Sequence, residues 1–141
     1  MQPASPARLY ATVVGAVLTI AGIIGFFYSS SFGSPGSVDK IFGVFAVNGW
    51  HNVLHLATGL LGLAAAGYLA RTYALAFGLL YVVVAVWGFI IGGGDSILGI
   101  VPVNTADNVL HLIIGVLGLA AGAASPVAAN MASTRVSQPG F

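Results

Sequence analysis

Four long apolar segments separated by shorter polar stretches make up most of the chain. They cover residues 8–28, 49–69, 72–92 and 105–125. Each has about 21 residues, which at a rise of about 1.5 Å per residue gives a helix of roughly 31 Å, close to the thickness of a bilayer's hydrocarbon core. The pattern predicts an all-α integral membrane protein with four transmembrane helices.

The second and fourth segments are two copies of one pattern. Residues 48–66 and 104–122 are identical at 12 of 19 aligned positions, the loop residues 41–47 align with 97–103, and Tyr10 aligns with Tyr73. We therefore expect one domain of two tandem repeats, about 8–69 and about 72–125, with a polar tail at about 126–141. Because each repeat crosses the membrane twice, the repeats are parallel, with a pseudo-two-fold axis along the membrane normal.

Composition narrows the classes of function. The chain is 58% hydrophobic and 5% charged, far from a soluble globular protein. Without cysteine it has no disulfides, thiolate-bound iron–sulfur clusters or c-type haem, and it lacks the basic patch that nucleic-acid binding needs. Parallel repeats and the absence of an acidic residue at mid-membrane depth argue against a secondary transporter.

The few charged residues predict an orientation. Arginines favour the cytoplasmic side of a membrane. Arg8, Arg71 and Arg135 fall on one side of the predicted helices, and Asp39, Lys40, Asp95 and Asp107 fall on the other. We expect a multi-pass protein of the inner (plasma) membrane with both termini cytoplasmic, its first helix retained rather than cleaved as a signal peptide.

One face of each repeated helix carries its polar and small residues within an arc of roughly 100°. In lipid this face must turn inward, and its glycines allow close helix packing. We therefore expect helices two and four to touch along a structural polar seam. The faces consist of Asn48, His51, Asn52, His55, Gly59, Gly62 and Ala66, and of Asn104, Asp107, Asn108, His111, Gly115, Gly118 and Gly122.

The first residues of these faces suit helix starts. Asn48 and Asn104 are placed to cap the two helices, because an Asn side chain accepts a hydrogen bond from a free backbone N–H. Asp107, three residues after Asn104, favours the positive end of the helix dipole. The matching His51 gains nothing there as a cation, which leaves it neutral and able to accept a hydrogen bond or bind a metal.

Three interpretations of the deeper polar residues stay open. In the first, Asn52, Asn108, His55 and His111 are hydrogen-bonding partners that fasten helix two to helix four. In the second, His51, His55, His111 and Asp107 converge on a divalent transition metal. In the third, His55 and His111 are the axial ligands of a b-type haem, with Gly59 and Gly115 leaving room for the macrocycle.

The motif N-x-x-H-N-x-x-H-L-x-x-G-x-x-G-L, carried by residues 48–63, resembles a family of small bacterial membrane proteins known as a domain of unknown function, DUF4383. The resemblance covers nearly the whole chain to about Ala124, and the second copy departs from the motif at Asp107. It implies a four-helix bacterial inner-membrane protein and supplies no catalytic residue or cofactor.

The sequence therefore predicts a non-enzymatic structural or accessory subunit without a cofactor, whose partners are membrane lipids and other membrane subunits or further copies of itself. A metal- or haem-binding membrane protein is the alternative. The absence of a nucleophile–base pair and of an intramembrane carboxylate pair argues against an enzyme. Tyr10, Tyr68 and Tyr73 are expected in the aromatic belt of the inner boundary.

Overall fold

Four helices and two short β-hairpins form the described part of the chain in a computed structural model, which covers residues 4–33 and 38–127. Most of the predicted polar tail, together with Arg135, lies outside these residues. In chain order the elements are α1 Pro6–Tyr28, β1 Asp39–Ile41, β2 Phe45–Val47, α2 Gly49–Ala65, α3 Ala70–Ile91, β3 Ser96–Ile97, β4 Val101–Pro102 and α4 Thr105–Ala123. The order helix, hairpin, helix occurs twice.

Three of these helices, α1, α3 and α4, are long and apolar enough to cross a membrane. The fourth, α2, has 17 residues and ends at Ala65, four residues before the predicted end. The reason is the tight reversal into α3: residues 66–69 form a turn, in which the Leu69 N–H still bonds the Ala65 carbonyl at 2.9 Å. Gly67, a poor helix former, lies within that turn.

The loops between α1 and α2 and between α3 and α4 each contain an antiparallel hairpin, which the all-α prediction did not include. β1 pairs with β2 and β3 with β4. At each tip the two central residues have positive φ, 52° and 71° at Phe42 and Gly43, and 54° and 73° at Leu98 and Gly99. Positive φ at both positions is the type I′ geometry, whose twist suits a tight hairpin.

Glycines bring the helices together within each half of the chain. A Cβ on Gly15 of α1 would lie 2.8 Å from the Leu63 backbone nitrogen of α2, and one on Gly78 of α3 would lie 2.7 Å from that of Leu119 in α4. The largest helix contacts are accordingly α1 with α2 and α3 with α4. The expectation that the glycines join helices two and four is wrong, because the backbones they admit are those of α1 and α3.

Two buried tyrosines link the halves. The Tyr10 hydroxyl of α1 donates to the Ile114 carbonyl of α4 at 2.9 Å, and the Tyr73 hydroxyl of α3 donates to the Thr58 carbonyl of α2 at 3.0 Å. Each ring lies over a glycine, Gly118 for Tyr10 and Gly62 for Tyr73. The aromatic-belt interpretation of these two tyrosines is therefore wrong. The remaining one, Tyr68, is fully exposed.

Candidate metal centre

α2 and α4 begin with the predicted asparagine caps. The Asn48 side-chain oxygen accepts from the His51 N–H at 2.9 Å, and that of Asn104 accepts from the Asp107 N–H at 3.0 Å. Asp107 completes a capping box, because its Oδ2 accepts from the Asn104 N–H at 2.9 Å. Both helix starts are thereby held in fixed positions.

The same residues hold the hairpin of the opposite half. Asn48 Nδ2 donates to the Ile100 carbonyl at 2.6 Å, and Asn104 Nδ2 donates to the Val44 carbonyl at 2.7 Å. Asp107 Oδ2 also accepts from the Ala46 N–H at 3.0 Å. The first hairpin is thus hydrogen-bonded to the start of α4, and the second hairpin to the start of α2.

Asn52 and Asn108, one turn deeper, are almost completely buried. Their amides lie against Gly25 of α1 and Gly88 of α3, where a Cβ would overlap them. Asn52 Nδ2 donates to the Ser29 carbonyl at 2.8 Å, just past the end of α1. This bond joins helices of one half, whereas the sequence predicted polar bonds between α2 and α4.

The three histidines do come together between α2 and α4. His51 and His55 lie one turn apart on α2, with ring centroids 4.4 Å apart. The His111 ring of α4 is 6.0 Å from that of His51 and 6.2 Å from that of His55. One nitrogen from each ring can be chosen so that all three lie within 4.8 Å of one another.

These imidazoles lack hydrogen-bonding partners on one side. The Nδ1 atoms of His51, His55 and His111 are buried and have no partner among the described residues. A buried polar atom without a partner is costly, so it calls for an explanation such as a bound ion. The inward orientation predicted for the polar stripe is confirmed for His51 and His111, which are 2% and 5% exposed.

Asp107, the fourth predicted metal ligand, is not part of the histidine group. Its Oδ2 serves the backbone N–H groups of Ala46 and Asn104. Its side chain lines one cavity with His55 and His111, so its carboxylate lies close enough to influence that site electrostatically. The structure therefore assigns Asp107 a structural role at the edge of the cluster.

The glycines below the histidines are covered by neighbouring helices. A Cβ on Gly59 would meet Thr19 of α1, and one on Gly115 would lie 2.7 Å from the backbone nitrogen and a methyl group of Val82 in α3. The space that the haem interpretation required at these positions is filled. The histidine set thus suits a bare ion better than a macrocycle.

A cavity of about 320 Å³ extends from the histidines to the surface between α1 and α4, beneath the first hairpin. It is lined by residues 17, 18, 20, 21 and 24 of α1, by apolar side chains of the hairpin, and by Leu110 and Ile114 of α4. Its polar lining consists of His55, Asp107 and His111. The sequence did not predict this cavity, because its walls come from segments far apart in the chain.

The tyrosine links were also missed, although a signal for them existed. Tyr10 and Tyr73 align between the repeats, as do their acceptors at Ile114 and Thr58 and the glycines Gly118 and Gly62 beneath their rings. A tyrosine that recurs at the same position of both repeats suggests a structural partner rather than an interfacial anchor.

Comparison with known proteins finds one family. A family model described as Domain of unknown function (DUF4383) matches residues 8–124. No curated protein matches the chain. No solved structure matches it either.

Proposed function

The chain belongs to the DUF4383 family, as its repeated histidine motif predicts, and we propose that it is a membrane protein that binds a divalent transition metal ion through His51, His55 and His111. The observation that carries this proposal is the convergence of three imidazoles from two helices, each with a buried Nδ1 that has no partner within residues 4–33 and 38–127. Imidazole is a preferred ligand of zinc, copper, iron and nickel.

A metal ion would satisfy all three rings at once. In a tetrahedral site with Zn–N bonds of about 2.0–2.1 Å, neighbouring ligand nitrogens are about 3.3 Å apart. The three nitrogens here lie within 4.8 Å of one another, so binding draws the rings inward by small side-chain rotations. Three protein ligands leave a fourth position open, as in zinc sites that also bind water or a substrate.

The setting favours metal retention. The nearby Asp107 carboxylate, which lines the same cavity as His55 and His111, offsets part of the charge that a divalent ion would bring into an apolar region. The two hairpins lie over the helix starts and are held there by Asn48, Asn104 and Asp107. They limit the access of water to the cluster.

We place the site near the outer face of a plasma membrane, within a bundle of four spans. α2, at about 26 Å for 17 residues, is within the length range of a transmembrane helix, and the paired contacts of the two halves support a parallel repeat about a pseudo-two-fold axis. Arg71 Nε donates to the Ser125 carbonyl, and the Ala7 N–H bonds the same serine's hydroxyl. Arg8 and Arg71 therefore share one end of the bundle, which the positive-inside rule makes cytoplasmic.

The test is metal analysis of protein purified in mild detergent without a chelator or a polyhistidine tag. We expect close to one equivalent of a transition metal, or tight uptake of one equivalent of Zn²⁺ by chelator-stripped protein. His55→Ala and His111→Ala should abolish this binding. Tyr81→Phe is the matched control, because it keeps the ring that lies 5.3 Å from His111 and adds or removes no nitrogen ligand.

Folded protein that takes up no zinc, copper, iron or nickel would overturn the proposal. The polar residues would then serve to hold the bundle together, and the accessory-subunit role predicted from the sequence would be the better interpretation. Uptake that survives both histidine substitutions would place the metal elsewhere. The prediction that the protein is not an enzyme stays a prediction.

A further inference from the structure

From the cavity beneath the first hairpin we infer a second binding function: it accepts an uncharged amphipathic molecule from the bilayer. The hydrocarbon tail of this molecule lies against α1, and its hydroxyl or carbonyl head lies at His55 and His111. The cavity is formed by the protein alone, so this inference does not depend on metal binding.

Size and lining suit a small ligand. The cavity volume of about 320 Å³ is at the lower end of the range of about 300–1,000 Å³ that is usual for ligand pockets, which are mostly apolar with a few polar groups. Leu18, Ala21 and Ile24 of α1 form one wall, and Ile114 of α4 contributes to another. Such walls hold a hydrocarbon chain by burial and dispersion.

The mouth of the cavity faces lipid. Val17 and Ile20 line it and are 54% and 56% exposed on the outside of α1, and Phe42 at the hairpin tip is 72% exposed. In a membrane these exposed apolar side chains contact lipid. A molecule dissolved in the bilayer can therefore enter sideways between α1 and α4 without crossing the aqueous phase.

The inner end selects an uncharged head. Among the described residues no lysine or arginine lines the cavity, whereas the acidic Asp107 does. A phosphate or carboxylate head would therefore lack a cationic partner in this lining and meet a like charge. His55 and His111 line this end of the cavity, and an imidazole can donate to or accept from a hydroxyl and can donate to a carbonyl. When a metal is bound, the same oxygen can occupy its open position.

The other half of the chain fills the equivalent region. Leu18 of α1 aligns with Tyr81 of α3, and the Tyr81 ring is 7% exposed and packs 5.3 Å from the His111 ring. The larger aromatic side chain occupies space beside the histidines on its side, whereas Leu18 borders the cavity. The ligand site is therefore expected on the α1 side alone.

Photochemical cross-linking in phosphatidylcholine nanodiscs tests the inference. The probe is a twelve-carbon alcohol with a diazirine in mid-chain, and mass spectrometry maps the labelled residues. We expect saturable labelling of residues 17–24 that excess 1-dodecanol displaces and that dodecane and dodecyl phosphate do not. Ile20→Trp, which narrows the mouth, should abolish the saturable fraction. Val83→Trp, at the aligned and similarly exposed position of α3, should leave it intact.

The labelling is repeated with zinc-loaded and chelator-stripped protein, and metal content is measured separately. Saturable labelling in either form supports the ligand site, and labelling only in the zinc form places the head on the metal. Labelling spread evenly over the lipid-facing residues of α1 and α3 in both forms, displaced equally by dodecane, would overturn the inference whatever the metal content. Saturable labelling that persists in Ile20→Trp, with elution and stability unchanged, would also overturn it.

Discussion

The starts of α2 and α4 have the same frame and differ at one position. Asn48 and Asn104 cap their helices identically and reach the opposite hairpin. Three residues later, α4 has Asp107, whose carboxylate satisfies two backbone N–H groups. At the same place α2 has His51, whose buried Nδ1 has no partner in the part of the chain that the structure describes. One copy uses the position to stabilise the fold, and the other leaves a nitrogen free for a ligand.

This difference shows how duplicated halves can divide two tasks. A histidine at this position of both helices would leave the N–H groups of Ala46 and Asn104 without the Asp107 acceptor, and an aspartate at both would reduce the cluster to two imidazoles. The aligned residues Leu18 and Tyr81 also differ in what they do. Leu18 borders the cavity on one side of the histidines, and the Tyr81 ring packs against His111 on the other.

The largest expected effects come from removing the side chain of His51 or of Asp107. His51→Ala should lower zinc affinity by at least about a hundredfold, because the loss of a ligand does more harm than the loss of an outer-shell partner, which costs about 10–100-fold. Asp107→Ala should change zinc affinity by less than about tenfold and lower the free energy of unfolding by about 3 kcal/mol, because two buried N–H groups lose their acceptor. Zinc titration and unfolding in a graded detergent mixture measure both quantities.

Two results would contradict the assignment of His51 as a metal ligand and Asp107 as a structural residue. Equal loss of zinc affinity in both variants would make Asp107 a ligand as well. A smaller loss of stability in Asp107→Ala than in His51→Ala, both measured without metal, would contradict the structural role of the carboxylate.

A smaller effect should be the same in both halves. Gly25→Ala and Gly88→Ala each introduce a methyl group where the amide of Asn52 or Asn108 lies. Overpacking of this kind costs about 2 kcal/mol, and we expect similar losses of unfolding free energy in the two variants. Gly67→Ala is the control, since a Cβ there meets nothing within 4 Å. Unequal losses would show that the two helix pairs are not equivalent in packing.

The smallest predicted effect concerns the links between halves. Tyr10→Phe and Tyr73→Phe each remove a hydroxyl that donates to a helix carbonyl of the other half. Hydrogen bonds of this type average about 0.6 kcal/mol in membrane bundles, so each variant should lose about that amount of stability. Tyr68→Phe, whose hydroxyl belongs to a fully exposed side chain, is expected to be neutral. A loss of stability in Tyr68→Phe as large as in the other two variants would show that the hydrogen bonds between the halves are not the cause of the loss.

Local chemistry explains what the sequence predicted well. The start of α4 at Thr105, the two asparagine caps and the inward polar stripe follow from residue types at helical spacing. The approach of His111 to His51 and His55 follows from two copies of one stripe that must both avoid lipid.

The features that were missed depend on distances between remote segments. The exchange of Leu18 for Tyr81 looks minor between aligned apolar helices, yet Leu18 borders the cavity whereas the Tyr81 ring packs beside His111. Tyr10 was assigned to the membrane boundary because the space above Gly118 is visible only when α1 and α4 are placed together. The pairing of α1 with α2 depends on which backbone approaches Gly59, and the periodicity of one helix does not contain that information.

The crossed bonds between helix starts and hairpins carry a consequence for biosynthesis. When α1, the first hairpin and α2 have been synthesised, the Asn48 amide still lacks Ile100, and the first hairpin still lacks Asn104 and Asp107. At that stage His51 and His55 lack the third histidine, His111, and the first hairpin lacks its hydrogen bonds to α4. Synthesis of the second hairpin and α4 supplies Ile100 for Asn48, Asn104 and Asp107 for the first hairpin, and the third imidazole, His111. The cluster is therefore completed and covered in the same step.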